Sequence, residues 1–170
     1  MQQKLINSAG QSLMAIGLYT VAFESMVLAM RAQMSAHLSR NNASLCRKFK
    51  DKFCGTADKT IIFCSKELLK LRVLQQSEID SLKDLRRRRN KLAHEGYNQM
   101  LSVGVSHIES DVELMLLLTK KLQSSTYRRI SAPVGVPIPI TIAPSIFHIY
   151  LYAARTLANT TLNTEVNGKS

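Results

Sequence analysis

The longest apolar pattern in the chain covers residues 11–34. This segment contains no proline, and its apolar residues fall on nearly every face of a helix, which is typical of a helix covered by neighbours on all sides. Residues 12–30 are also about long enough to cross a bilayer, which takes roughly 20 apolar residues. Glu24 interrupts them, and a charge at mid-membrane costs roughly 2.5 to 3.5 kcal/mol. We therefore predict a central core helix.

Four more segments have helical periodicity. Residues 39–55 are basic, with apolar residues spaced four apart, which predicts a short amphipathic helix. A longer helix is predicted over residues 58–74, with Asp58 as its N-cap. Its predicted buried stripe consists of Ile61, Ile62, Leu68, Leu69 and Val73. A third long helix begins at Ser77, and a fourth covers residues 107–124. The inward residues predicted on the fourth are Ile108, Val112, Met115, Leu118 and Leu122.

The pattern changes after this helical region. Residues 127–144 alternate Val and Ile with Gly, Pro and Thr, and prolines exclude such a segment from the centre of a sheet. We predict an extended arm that covers its own core or lies on a second protomer. Residues 145–170 predict an additional helix to about residue 162 and a frayed tail. The predicted organisation is an all-α helical bundle over residues 1–126, the arm, and the C-terminal helix.

Charge points to the class of partner. The chain has 23 Lys and Arg residues against 12 acidic ones, for a net charge of +11 and a pI near 9.9, and such a surface attracts polyanions, nucleic acid first. A basic surface without a ligand is the alternative. Three cysteines, Cys46, Cys54 and Cys64, lack a CxxC or metal-ligand spacing, so we expect reduced, buried thiols. Without a secretory leader, we expect a cytoplasmic protein that does not enter a membrane.

The densest cluster of charge is the stretch of residues 84–97, DLRRRRNKLAHEGY. At about 100° per residue on a helix, Arg89 falls in the middle of a narrow apolar stripe. The stripe consists of Leu82, Leu85, Leu92 and Gly96. Burying a guanidinium without a partner is expensive, so we expect Arg89 to pair with an acid, to lie at a subunit interface or to await an anion. Glu24, in the apolar first helix, is the buried partner that we predict for it.

His94 points to a different face of the same helix, about 140° from Arg89. It shares that face with Asn90, Arg87 and Tyr97, and an amide one turn from an imidazole is placed to share a hydrogen-bond network with it. A single helix therefore does not aim Arg89 and His94 at one substrate, whereas two helices related by a dimer axis do.

The segment from Arg89 to His94 (RNKLAH) resembles the Arg-x4-6-His motif of the HEPN superfamily, in which a polar residue, often Asn, follows the arginine. The resemblance implies an all-α fold with a four-helix bundle of HEPN type. It further implies a ribonuclease of toxin–antitoxin, abortive-infection or other antiviral defence systems. The motifs of two protomers would meet across a homodimer interface, with an antitoxin or regulatory protein as a possible further partner.

The chemistry expected from these residues needs neither a metal nor a cofactor. His94 moves the proton of an RNA 2′-hydroxyl or of the leaving 5′-oxygen, Arg89 stabilises the charge that develops on the phosphate, and Asn90 orients His94 or the phosphate. The products would be 2′,3′-cyclic phosphate and 5′-hydroxyl ends, and DNA would be inert. The residues predicted to hold the RNA backbone are Arg86, Arg87, Arg88 and Lys91.

Two residues have supporting roles in this hypothesis. In some HEPN toxins a partner nucleotidyltransferase modifies a tyrosine two residues after the histidine; here Tyr97 follows His94 by three and is a candidate regulatory residue. Glu24 is the candidate support for Arg89.

Other interpretations stay open at this point. The run of arginines is also typical of a solvated basic face, and a lone histidine near a helix end is often structural. A catalytically silent HEPN-like module that binds RNA, a nucleotide or a protein partner is the main alternative function. A basic DNA-binding regulator ranks last, since no recognition helix stands out.

Overall fold

A computed structural model describes the backbone of residues 2–100, 105–129 and 148–156, and the side chains of residues 10, 13–94, 107–122 and 148–156. The described chain is all-helical, as the sequence predicts. Its helices are α1 (Gln2–Asn41), α2 (Ala43–Phe53), α3 (Ala57–Lys70), α4 (Gln76–Met100), α5 (Val105–Arg129) and α6 (148–156).

The centre of the fold is α1, which packs against each of α2, α3, α4 and α5. Its largest buried side chains, Tyr19, Phe23, Met26 and Met30, are at most 1% exposed. The helix is longer than the predicted 11–34, because no proline interrupts it. Among the described residues, one stretch, Leu13–Asn41, is long and apolar enough to cross a membrane, with a mean hydropathy of 1.8 in a window that is 44% buried inside the fold. The buried side chains of α1 make it a core helix of the described fold.

Side-chain caps fix where α2 and α3 begin. The Asn42 side chain accepts a hydrogen bond from the Leu45 amide (2.9 Å), and the Thr56 hydroxyl accepts one from the Lys59 amide (3.3 Å). Each cap satisfies an amide that has no partner within its helix. The prediction that Asp58 caps α3 is therefore wrong, since Thr56 is the N-cap and Asp58 is the second residue of the helix.

The buried stripe of α3 also differs from the prediction. Ile61 and Leu68 are buried, but Ile62 and Leu69 are 44% and 40% exposed. The helix turns its Ile61–Cys64–Leu68 face inward, so residues one position further along are rotated by about 100° toward solvent. Helix α3 ends where the Val73 amide bonds back to the Leu68 carbonyl (2.9 Å), with Arg72 at a positive φ of 54°.

Helices α4 and α5 complete the core. The Tyr19 hydroxyl of α1 donates to the Leu85 carbonyl of α4 (2.9 Å). About one turn further along both helices, Glu24 of α1 contacts Arg89 of α4, which shows that the two helices run parallel. The α5 residues that the sequence predicts to face inward are buried, and Leu116 joins them in the core. Ile108, Val112, Met115, Leu118 and Leu122 are all at most 3% exposed.

The C-terminal part is described only over a short helix. Because α5 continues to Arg129, the first three residues of the predicted 127–144 arm are helical, and the rest of the arm lies outside the described residues. Helix α6 falls within the predicted C-terminal helix, and the tail predicted to fray is outside the described range. On α6, Arg155 pairs with Glu109 of α5 (2.7 Å), and the hydroxyls of Tyr150 and Ser25 lie 3.3 Å apart.

Candidate functional site

The four consecutive arginines of α4 point in four directions. Because each residue of a helix is rotated by about 100° from the one before, a run of four covers most of a turn. Residues 86, 87, 88 and 89 therefore face α3, solvent, α5 and α1 in turn. Each of them has an acidic partner, so the run is not one continuous basic face.

The first two arginines of the run, Arg86 and Arg87, pair with acids whose own side chains are exposed to solvent. Arg86 Nε lies 2.8 Å from Asp58 Oδ1 at the start of α3, as a charge contact without the geometry of a hydrogen bond. Arg87 is 75% exposed and pairs with Asp84 of its own helix at 3.2 Å. An exposed ion pair within one helix contributes little to stability. Arg87 is therefore the arginine of the run that comes closest to a residue of a solvated basic face.

Arg88 reaches the most buried acid of the described chain. Its Nη2 lies 3.1 Å from Oδ1 of Asp111 on α5, whose side chain is only 6% exposed. Burial raises the pKa of the Asp111 carboxyl, and the neighbouring Arg88 offsets part of that rise. Burial also raises the pKa of Tyr19, which lies beside this pair. The arrangement keeps a charge between α4 and α5 in the core, where removing the arginine would leave an unpaired carboxylate.

Arg89 forms the ion pair with Glu24 that the sequence predicts. Its Nη2 donates to Glu24 Oε1 at 2.9 Å. The expectation of a buried pair is wrong in degree, because the side chains remain 31% and 42% exposed at the groove between α1 and α4. The Nε of Arg89 is buried and has no hydrogen-bond partner among the described residues.

Asn90 extends this pair into a network across three helices. Its Oδ1 accepts from Arg89 Nη1 (3.3 Å), and its Nδ2 lies 3.3 and 3.4 Å from the two carboxylate oxygens of Asp58. The chain of contacts therefore runs from Glu24 on α1 through Arg89 and Asn90 on α4 to Asp58 on α3. This network holds the guanidinium and the amide in fixed positions relative to each other.

His94 lies one turn beyond this network and is exposed. It has no hydrogen-bond partner among the described residues, so the Asn90 amide serves Arg89 and Asp58 there rather than the imidazole. Lys91 is also exposed, and the Tyr97 side chain lies outside the described residues. Within one chain, Arg89 faces α1 and His94 faces solvent, which is the divergence expected for residues five apart on a helix.

Sequence reasoning missed the parts played by Asp58 and Asp111. The sequence did mark Asp111, because at about 100° per residue it lies on the same side of α5 as the buried Leu118 and Leu122. An acid on an apolar stripe needs a cation as its partner. Asp58 carried none, since its role depends on how the start of α3 lies against α4.

The described part of the chain contains no disulfide and no cluster of residues suited to metal binding. The cysteines there are free, as predicted, with Cys46 and Cys64 buried but Cys54 only partly so. Burial raises the pKa of Cys54 and of Cys64, which makes their thiolates scarce. Among the described residues, no group of three or more His, Cys, Asp or Glu side chains is placed to hold a metal ion.

The fold and the site together define an all-helical protein in which acidic side chains contact an arginine and an amide, Arg89 and Asn90. An exposed imidazole, His94, lies one turn further along the same helix. A fixed guanidinium binds phosphate oxygens through planar N–H groups, and an imidazole transfers protons near neutral pH. Comparison with protein-family models, with curated proteins and with solved structures finds no match to this chain. The residues of the site are therefore the basis for assigning a function.

Proposed function

We propose that this chain is a HEPN-type, metal-independent endoribonuclease that acts in the cytoplasm as a homodimer, as a toxin or phage-defence component. The observation that carries the proposal is the network that fixes Arg89 and Asn90 through Glu24 and Asp58, one turn before the exposed His94. In this proposal, α1, α3, α4 and α5 form the HEPN four-helix bundle.

The reaction is an internal transesterification of RNA. A neutral His94 takes the proton of a 2′-hydroxyl, whose oxygen attacks the adjacent phosphorus as the bond to the 5′-oxygen breaks. The leaving oxygen receives a proton from an imidazolium, which leaves a 2′,3′-cyclic phosphate and a 5′-hydroxyl. Arg89 stabilises the negative charge that develops on the phosphate oxygens.

The Glu24 pair is compatible with phosphate binding by Arg89. A guanidinium has five N–H donors, and in the structure Nη2 serves Glu24 and Nη1 serves Asn90 with one bond each. Each terminal nitrogen keeps a second N–H donor for a phosphate on a side chain that is 31% exposed, whereas the buried Nε does not reach one. Glu24 thus holds Arg89 in a defined orientation before RNA arrives, which lowers the cost of ordering a long side chain on binding.

A second protomer would bring an imidazole to this arginine. On α1, Val21 and Leu28 are 49% and 54% exposed, and they lie on the same face as Glu24, at three and four residues from it. A twin helix packed on this face would lie beside the Glu24–Arg89 pair. Light scattering is expected to give twice the chain mass of 19.0 kDa.

The test is cleavage of single-stranded RNA by the purified chain in EDTA. We expect 2′,3′-cyclic phosphate ends, and we expect Arg89→Ala and His94→Ala each to slow cleavage by about a thousandfold, since a charge stabiliser and a proton-transfer group each contribute factors of this order. The matched control is Arg87→Ala, which also removes an arginine side chain, from an exposed position two turns before His94 on the same helix. Equal losses in Arg87→Ala and Arg89→Ala, or no cleavage by the wild-type chain, would overturn the proposal.

A silent module that binds RNA or a protein partner is the second candidate. The observation that favours it is that every arginine of the run already has an acidic partner, so the motif also works as a bridge between helices. RNA binding by the wild-type chain without any cleavage would support this alternative.

A further inference from the structure

The exposed side of α2 carries a concentration of free positive charge, which we call the α2 cationic face. Its members are Arg47, Lys48, Lys50 and Lys52 on α2, with Arg40 before the helix and Lys59 after it. All six side chains are exposed. None of them forms an ion pair with any residue that the structure describes.

The surrounding sequence leaves this charge uncompensated. Residues 40–59, which contain all six cations, include two acids: Asp51, which is exposed, and Asp58, which pairs with Arg86 of α4. Phosphates in solution are the counter-charges that such a surface attracts most strongly. The arginines of α4, by contrast, are neutralised by acids of the protein itself.

The other side of α2 is anchored in the core, so the cationic face keeps a fixed place. Cys46 and Phe49 are buried, and the Phe49 ring lies 4.8 Å from that of Phe63 on α3. None of the large hydrophobic side chains exposed in the described residues lies on α2. A helix that binds a bilayer buries an apolar face in it, so a face of cations alone fits a phosphate backbone better than a membrane.

The α2 cationic face ends beside the candidate site. The Thr60 hydroxyl of α3 donates to the Phe53 carbonyl at the end of α2 (2.8 Å). In the same first turn of α3, Asp58 contacts Arg86 at 2.8 Å and Asn90 at 3.3 Å. The first turn of α3 therefore links the end of α2 to the part of α4 that carries Asn90, one turn before His94.

We propose that the α2 cationic face is the RNA-binding surface of this protein, which holds the phosphate backbone of a single strand whose next nucleotides reach Asn90 and His94. The proposal rests on the ribonuclease function proposed above. It assigns backbone binding to α2 rather than to Arg86, Arg87 and Arg88, whose charges are already paired.

The test uses a short fluorescein-labelled single-stranded RNA of mixed sequence and the full chain with His94→Ala, so that binding is measured without cleavage. In that background, three cations of the face are neutralised with Arg47→Gln, Lys48→Gln and Lys50→Gln. Each lost phosphate contact on a single strand lowers the salt dependence of log Kd by about 0.7, so the slope should fall by about 2 and the affinity by more than about tenfold. Fluorescence anisotropy between about 50 and 200 mM salt measures both quantities.

The matched control removes one arginine and two lysines elsewhere, with Lys66→Gln, Arg72→Gln and Lys120→Gln. These three side chains are also exposed and form no ion pair with the residues that the structure describes. The control has the same net charge as the test variant, and we expect it to bind RNA within about twofold of its parent, since long-range charge effects are screened over about 10 Å at 0.1 M salt.

Each outcome decides the proposal. Loss of binding in the test variant alone supports it, whereas equal losses in both variants, or in neither, overturn it. Binding to phosphatidylserine vesicles without binding to RNA would also overturn it, in favour of a membrane surface. Cleavage by the wild-type chain is scored separately. RNA cleavage with a KM that the α2 substitutions leave unchanged would support the proposed function and overturn the α2 surface. RNA binding that depends on α2, without cleavage, would support the surface and overturn the proposed function.

Discussion

The arginine run of α4 contains four positive charges and the α2 cationic face contains six, and the two regions differ in what surrounds them. On α4, the partners come from α1, α3, α5 and α4 itself. On α2, the exposed cations find no acid among the described residues. The four arginines of α4 are consecutive in sequence, whereas the cations of the α2 cationic face are spread over residues 40–59. The arginines nevertheless point to different sides of their helix. The role of a basic residue is therefore decided by the acids on neighbouring helices rather than by how many cations stand together.

The largest effect on stability that this comparison predicts belongs to Arg88. Replacing it with Met leaves Asp111 nearly buried without its partner. We expect the free energy of unfolding to fall by about 2 kcal/mol at pH 7, less than the 3 to 5 kcal/mol of a fully buried pair because Arg88 is half-exposed. Urea denaturation measures the change, with Arg87→Met as the control at less than about 0.5 kcal/mol. Equal losses in the two variants would contradict the account.

The cost of losing Arg88 should depend on pH. Burial raises the pKa of Asp111 in the folded chain above its ordinary 3.8, and without Arg88 the pKa rises further. A raised carboxyl pKa means that the folded state binds the proton more tightly than the unfolded state, so stability is lost as the pH rises through the folded pKa. The deficit of Arg88→Met should therefore be full at pH 7 and shrink toward pH 4. A deficit independent of pH would show that Asp111 is not the cause.

A smaller effect is expected at the second link between α4 and α5. Lys121 Nζ contacts both carboxylate oxygens of Glu78 (2.6 and 2.7 Å). Partial burial acts to raise the Glu78 pKa, but the hydrogen bond from the Gln75 amide and the contact with Lys121 outweigh it, so the pKa lies below its ordinary 4.5. Glu78→Gln should lower the free energy of unfolding by about 0.5 to 1 kcal/mol at pH 7.

The pH dependence of this variant should have the opposite sense to that of Arg88→Met. A lowered carboxyl pKa contributes stability that is present above about pH 4.5 and is lost as the pH falls through the folded pKa. The difference between wild type and Glu78→Gln should therefore fade below pH 4.5. Thermal or urea unfolding across that range checks it, and a difference that grows on acidification would contradict the assignment.

The smallest effect on stability belongs to α2. Neutralising Arg47, Lys48 and Lys50 to Gln removes no ion pair with a described residue, and Gln is about as good a helix former as Lys. We expect the free energy of unfolding to change by less than about 0.5 kcal/mol, while RNA binding falls as described above. A loss as large as that of Arg88→Met would mean that the α2 cations hold the fold, as the α4 arginines do.

Local pattern was sufficient to predict much of the fold. The inward residues of α5 follow from helical periodicity, and Glu24 and Arg89 were paired because each is a charge in an apolar stretch. The inward face of α3 was predicted only in part, since Ile62 and Leu69 are as apolar as the residues beside them and only packing decides between the faces.

The site was less predictable because its contacts join distant parts of the chain. Asp58 and Asn90 are 32 residues apart in sequence, and nothing local to Asp58 marks it as a partner of α4. The directions of the four arginines follow from helix geometry alone, but their acidic partners depend on the arrangement of α1, α3 and α5. Tertiary contacts of this kind are not encoded in any single stretch of pattern.

The central claim is that Arg89 and His94 act on one phosphate although they diverge on α4. Mixing two inactive variants, Arg89→Ala and His94→Ala, tests it most directly, because a twofold dimer of unlike protomers keeps one site with an intact arginine and an intact histidine. We expect RNA cleavage in EDTA to return on mixing under conditions in which subunits exchange. Absence of cleavage in a mixture shown to contain heterodimers would contradict a site shared between protomers.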